Sequence, residues 1–118
     1  MMNEYIFNRI DYENDNLWVI KDFFNSLNLS ERLVDGVLNI IHRTGFVINE
    51  TYCHFPDLDD PDPDPECHFD GIMFGVWEGE VIVPESVGFE YVRLACEKYL
   101  QLHPEDTDKV KALLTQLP

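Results

Sequence analysis

The chain has 118 residues, with 8 Lys and Arg against 23 Asp and Glu, giving a formal net charge of −15. That length fits one domain, 1–118, and a 45% hydrophobic content with eight Phe, five Tyr and two Trp suffices for a core, which excludes wholesale disorder. A charge of this sign repels phosphate, so direct binding of nucleic acid or of an anionic membrane is not expected, and a basic protein is the natural partner.

Residues 3–12 are short and apolar enough to suit either a strand or a helix. Asp15 or Asn16 can then cap a helix carrying Leu17, Trp18, Ile20, Phe23, Phe24 and Leu27 at three- and four-residue spacing, with Asn28 at its end. Ser30 is placed to cap a second helix, whose apolar stripe is Leu33, Val34, Val37, Leu38 and Ile41 and whose stop is Gly45. Phe46, Val47 and Ile48, then Thr51 to Phe55, are β-branched or aromatic and read as one or two strands. Residues 56–66 hold four prolines among acids, a composition for an extended, solvent-facing loop. Cys67 to Val76 resumes strand composition, Glu78-Gly79 signals a tight turn, and Val81-Ile82-Val83 returns the chain as far as Pro84. Ser86 can cap a helix bearing Phe89, Val92, Leu94, Ala95, Tyr99 and Leu100. His103-Pro104 opens a last helix with Val110, Leu113, Leu114 and Leu117 as its apolar face. The order predicts an α+β fold: a small antiparallel sheet in the middle, packed with N-terminal and C-terminal helix pairs. Leu38, Phe74, Val81, Leu94 and Leu113 are the expected core positions.

The acids are unevenly distributed. Between Arg43 and Arg93 there is no Lys or Arg, and that window holds more than half of the 23 acids. Self-repulsion on this scale costs folding stability, and an external cation would relieve it. The three cysteines are an odd count, and the start, Met1 to Tyr5, is unlike a signal peptide; both point to reduced thiols and a cytoplasmic location. A Cys53–Cys67 bridge is geometrically conceivable, with reduced thiols the default. No run approaches the roughly 20 apolar residues of a membrane span.

Metal, cofactor and catalytic sites are not expected. Cys53-His54 and Cys67-His68 offer one ligand per strand face, unlike the turn-borne pairs that zinc favours. The 57–64 aspartates lack the glycine and the bidentate glutamate of a calcium loop. No nucleophile elbow, phosphate loop or His-Glu-x-x-His is present. What remains is a recognition surface in which aromatics (Phe55, Phe69, Phe74, Trp77) flank carboxylates. Its expected contact residues are Asp57, Asp59, Asp60, Asp62, Asp64, Glu66, Asp70, Trp77 and Glu78, a carboxylate series able to imitate a phosphate backbone before a basic cleft.

The segment Phe69-Asp-Gly-Ile-Met-Phe-Gly-Val-Trp-Glu-Gly-Glu-Val-Ile-Val83, followed by Phe89-Glu-Tyr-Val-Arg-Leu-Ala-Cys-Glu-Lys-Tyr-Leu100 and His103-Pro-Glu-Asp106, resembles bacterial contact-dependent growth inhibition (CDI) immunity proteins, specifically those directed at ribonuclease toxins. The resemblance covers about residues 67–117, and the N-terminal helix pair fits in length and texture. It implies a non-catalytic cytoplasmic protein that binds the C-terminal nuclease domain of its cognate toxin in a 1:1 complex and blocks it by occlusion. It carries over no contact residue. Composition alone leaves an alternative, a small acidic adaptor unconnected to any toxin.

Overall fold

The structure, a computed structural model, describes residues 6–7, 10–56 and 71–117. Helices α1 (Trp18–Leu29) and α2 (Leu33–Ile41) precede four strands, β1 (Phe46–Ile48), β2 (Thr51–His54), β3 (Ile72–Val76) and β4 (Gly79–Val83). Helix α3 (Glu85–Leu102), a 3-10 turn (Pro104–Asp106) and α4 (Thr107–Leu114) complete the chain. The sheet is an antiparallel meander in the order β1-β2-β3-β4, so the α+β expectation holds.

Helix α1 lies on one face of this sheet. Phe23 and Phe24 project from it onto Phe74 of β3, with ring centroids 5.1 and 6.1 Å away, and all three rings are fully buried. Ile20 and Leu27 continue the stripe, and Ile72, Val37, Ile40, Val92 and Val110 close the core around it. On the same strands the alternate residues face outward. Val47, Tyr52, Met73, Glu80 and Ile82 form the open face, where Tyr52 lies flat over Gly75. A Cβ on Gly75 would come within 2.0 Å of the Tyr52 ring, so only glycine fits under it.

Two helix stops differ from expectation in an instructive way. Helix α1 runs one residue past Asn28 and closes with Glu31 N–H to Asn28 O (3.1 Å) and Arg32 N–H to Leu27 O (2.9 Å), with Glu31 at φ 59°. Helix α2 ends likewise: Arg43, at φ 53°, donates to Ile40 O and Thr44 donates to Asn39 O. Both are Schellman closures whose left-handed position, normally glycine, carries a charged residue. Gly45, two residues beyond Arg43, is not the stop. Arg43 gains compensation from a bidentate pair with Glu85 (both contacts 3.0 Å) and from the Phe89 ring, 5.5 Å from its guanidinium carbon.

The expected caps at Ser30 and Ser86 are not used. Helix α2 starts at Leu33, behind the α1 closure, and α3 starts at Glu85, directly after Pro84. Asp15 does act at the α1 entry, where its carboxylate accepts from Leu17 N–H (2.9 Å) and pairs with Lys21 (2.6 Å). Two expected core leucines are also corrected. Leu38 and Leu94 are exposed (42% and 36%), because Ile40 and Ile41 on α2 and Ala95 and Cys96 on α3 occupy the inward faces. Phe74 and Leu113 are buried as expected, and Val81 is partly so.

Two stability measurements check this packing. Leu27→Ala should cost about 2–5 kcal/mol in denaturant titration, whereas Leu38→Ala should stay within about 0.5–1 kcal/mol. Glu31→Gly should stabilise by about 1 kcal/mol, a rise in Tm of about 3–5 °C, because glycine accepts the left-handed backbone without strain.

Candidate functional site

The meander places the β1–β2 turn (Asn49-Glu50) and the β3–β4 turn (Trp77-Glu78) at the same end of the sheet. Asn49 takes φ 54° to make the first of these two-residue turns. The ends of the β2–β3 connection, at Pro56 and Gly71, emerge at the other end, about 13 Å away along β3. Gly71 starts that return at φ 108°, with Val83 O so close that no Cβ fits.

Two of the expected contact residues fall within the described residues. Asp57, Asp59, Asp60, Asp62, Asp64, Glu66 and Asp70 lie outside the described residues, as do Phe69 and the Cys67-His68 pair. Trp77 and Glu78 form the β3–β4 turn at the opposite end from the segment's anchor points. Trp77 is 77% exposed, so it is not a core residue, while Phe74 is wholly core and Phe55 is half-buried.

Beside Trp77 opens a cleft of about 610 Å³ between the N-terminal segment, α1 and the two turns. Its floor is apolar, made by Phe7, Ile10 and Val76. Tyr12, Leu29 and Trp77 stand at its rim, each about half or more exposed. Three carboxylates, Asp22, Glu50 and Glu78, reach it from α1 and from the two turns. On α1 the spacing Asp22, Ser26, Leu29 sets one stripe beside the buried phenylalanines, which turns these side chains toward the sheet end.

The N-terminal segment is held in place by Asn25. Phe7 N–H donates to its Oδ1 (2.9 Å) and its Nδ2 donates to Phe7 O (3.0 Å), so a buried amide is satisfied while fixing the cleft floor. Tyr12 packs on Trp18 (5.3 Å between centroids) and donates its hydroxyl proton to Asp22 Oδ1 at 2.9 Å. Burial raises the Asp22 pKa above its usual value; the Tyr12 hydrogen bond opposes that shift and the Glu78 charge adds to it. No Lys, Arg or His is among the described residues that line it. Several described bases are paired outside the cleft, Lys21 with Asp15, Arg32 with Asp35, Arg43 with Glu85 and Arg93 with Glu90, while Lys98 lies 5.7 Å from the centre of the Phe7 ring.

Other reactive groups are quenched by their surroundings. Cys53 and Cys96 are buried free thiols, each pushed up to about 12 by burial. Tyr52 donates to Glu80 on the open face and is raised to about 12, first by burial and then by that bond. Cys53 points inward and His54 outward, the strand alternation expected of them. Among the described residues, no three His, Cys, Asp or Glu side chains gather as a metal site.

Sequence reasoning missed Tyr12, Asp22 and Glu50. The available signal was the Asp22-Ser26-Leu29 stripe, together with Asn49-Glu50 as a second turn signal between strand-like runs.

The chain is thus a small α+β protein with an acidic, aromatic-rimmed cleft at the turn end of its sheet. Residues 16–114 match the family described as CDI immunity protein, and the chain belongs to that family. The match takes in the N-terminal helix pair as well as the C-terminal half. No curated protein matches the chain. No described helix is long and apolar enough to cross a membrane.

The half-buried carboxyl of Asp22 gives this site a pH signature. Its folded pKa is raised, so the wild type is relatively most stable below the unfolded value near 3.8 and loses stability as pH rises through the folded value. Asp22→Asn, which still accepts from Tyr12, should therefore match the wild type in acid and be more stable at neutral pH. Thermal melts across the pH series read this directly.

Proposed function

We propose that the protein protects its cell by binding the C-terminal nuclease domain of its cognate CDI toxin, an RNase, and covering that domain's basic active site. The family match over residues 16–114 carries the reading, because it supplies the immunity role to which the charge gives a mechanism. A nuclease cleft holds phosphates with Lys and Arg. A protein of net charge −15 whose middle has no Lys or Arg between Arg43 and Arg93 offers that cleft carboxylates in place of phosphates. Inhibition is by occlusion in a 1:1 complex in the cytoplasm, with no chemistry performed by the immunity protein.

The aspartates at 57, 59, 60, 62 and 64, with Glu66 and Asp70, serve here chiefly to steer encounter. Exposed charges act over about 8–10 Å at physiological salt, and their effect falls as salt rises. The test is co-expression with the domain encoded immediately upstream. The two should co-purify in equal amounts, and the complex should not degrade RNA that the free domain cleaves. Replacing Asp59, Asp60, Asp62 and Asp64 by Asn should slow association and flatten its salt dependence. Failure of the two proteins to associate would end the immunity reading for this pair.

A further inference from the structure

We propose that the cleft at the turn end of the sheet is a socket for an arginine-bearing loop of the protein partner, with Trp77 as its aromatic wall. This inference rests on the immunity reading for the partner's identity and adds the surface that meets it.

Three observations converge on one occupant. First, the cleft is concave and its rim is aromatic and aliphatic. Of the large hydrophobic side chains exposed on the described residues, Tyr12, Leu29 and Trp77 gather around it, the composition of an interface hot spot. Trp77, at 77% exposure, leaves most of its surface open to a partner. Second, the described lining is acidic. Asp22, Glu50 and Glu78 arrive from three elements, and among the described residues no basic side chain lines the cleft and no ion pair to any of the three is found. Third, the carboxylates do not form a compact ligand set, so a bare metal ion is a poor occupant. A guanidinium fits better: it is planar, stacks on an indole face, and spreads five N–H donors over several acceptors at once. The apolar floor of Phe7, Ile10 and Val76 suits the methylene stem behind it.

The open sheet face is the natural comparison. It also exposes apolar groups, Val47 at 60% and Ile82 at 44%, but its carboxylate Glu80 is engaged by Tyr52, whereas the cleft has Glu50 and Glu78 in addition to the Tyr12-bonded Asp22. It therefore supplies control positions on the same sheet.

The experiment measures binding of the purified toxin domain encoded upstream to the full immunity chain, in a salt series. Trp77→Ala should raise Kd by about 30-fold or more, the scale of a central aromatic anchor. The pair Glu50→Gln and Glu78→Gln should raise Kd about tenfold or more and reduce the salt slope. Val47→Ser, on the open face, should bind as wild type. Melting curves confirm that each variant is folded, and Glu78→Lys at the exposed turn gives a second, charge-reversed reading at a site with no packing role. Unchanged binding by the cleft variants, with binding lost instead on Val47→Ser or on the 59–64 aspartate variant, would overturn the socket and leave the immunity role intact. Absence of binding by the wild type overturns both. A wild-type chain that sediments as a dimer, made monomeric by Trp77→Ala, would also overturn the socket by assigning the cleft to self-association.

Discussion

The packing of Phe23 and Phe24 on Phe74 is the contact on which the rest of the molecule depends. Three fully buried rings, the closest pairs 5.1 Å apart and edge-on, dock α1 across the sheet. Burial of each phenylalanine contributes about 1.5–3 kcal/mol, with about 0.5–1.5 kcal/mol more from each aromatic pair. Docking also sets function-bearing geometry. Once Phe23 and Phe24 face the sheet, Asp22 and Leu29 must emerge beside the hairpin turns, and the cleft exists because a helix flank and two turns share one end of the meander. A shift of α1 by one residue would turn Asp22 into the core and dismantle the site.

Periodicity made much of this legible. Ile20, Phe23, Phe24 and Leu27 announced the inward face of α1, and alternation announced that Cys53 and His54 take opposite faces, the structure placing Cys53 inward. Where an element carries more apolar residues than its buried face can hold, sequence cannot choose among them. Helix α2 has Leu38, Ile40 and Ile41 within four residues and only the isoleucines go in; α3 shows Leu94 just before Ala95 and Cys96 with the same result. Helix ends were misread for a different reason. Glycine and serine are the usual signals, yet a Schellman hydrogen-bond pair held Glu31 and Arg43 in left-handed backbone, and the tertiary contacts of Arg43 with Glu85 and Phe89 explain how one of them is tolerated.

Of the candidate cleft, Trp77 and Glu78 were legible in the sequence as an aromatic beside a carboxylate at a turn, and their neighbours across the cleft were not. The meander sets Trp77-Glu78 beside Glu50 and Asp22, residues 27 to 56 positions away in the chain, and a strand's length from the points where the 57–70 segment is anchored.

The connectivity of the sheet has a kinetic consequence. Every strand pairs only with its neighbour in sequence, and two of the three connections are two-residue turns. Closing such loops loses little chain entropy, so pairing can proceed in order as the chain emerges, with the β2–β3 connection as the one slower closure. Both walls of the cleft made by the turns are formed by these local steps, and docking of the already synthesised α1 completes the third. A protein whose purpose is to be ready before an incoming toxin acts is in this way competent to bind soon after its synthesis.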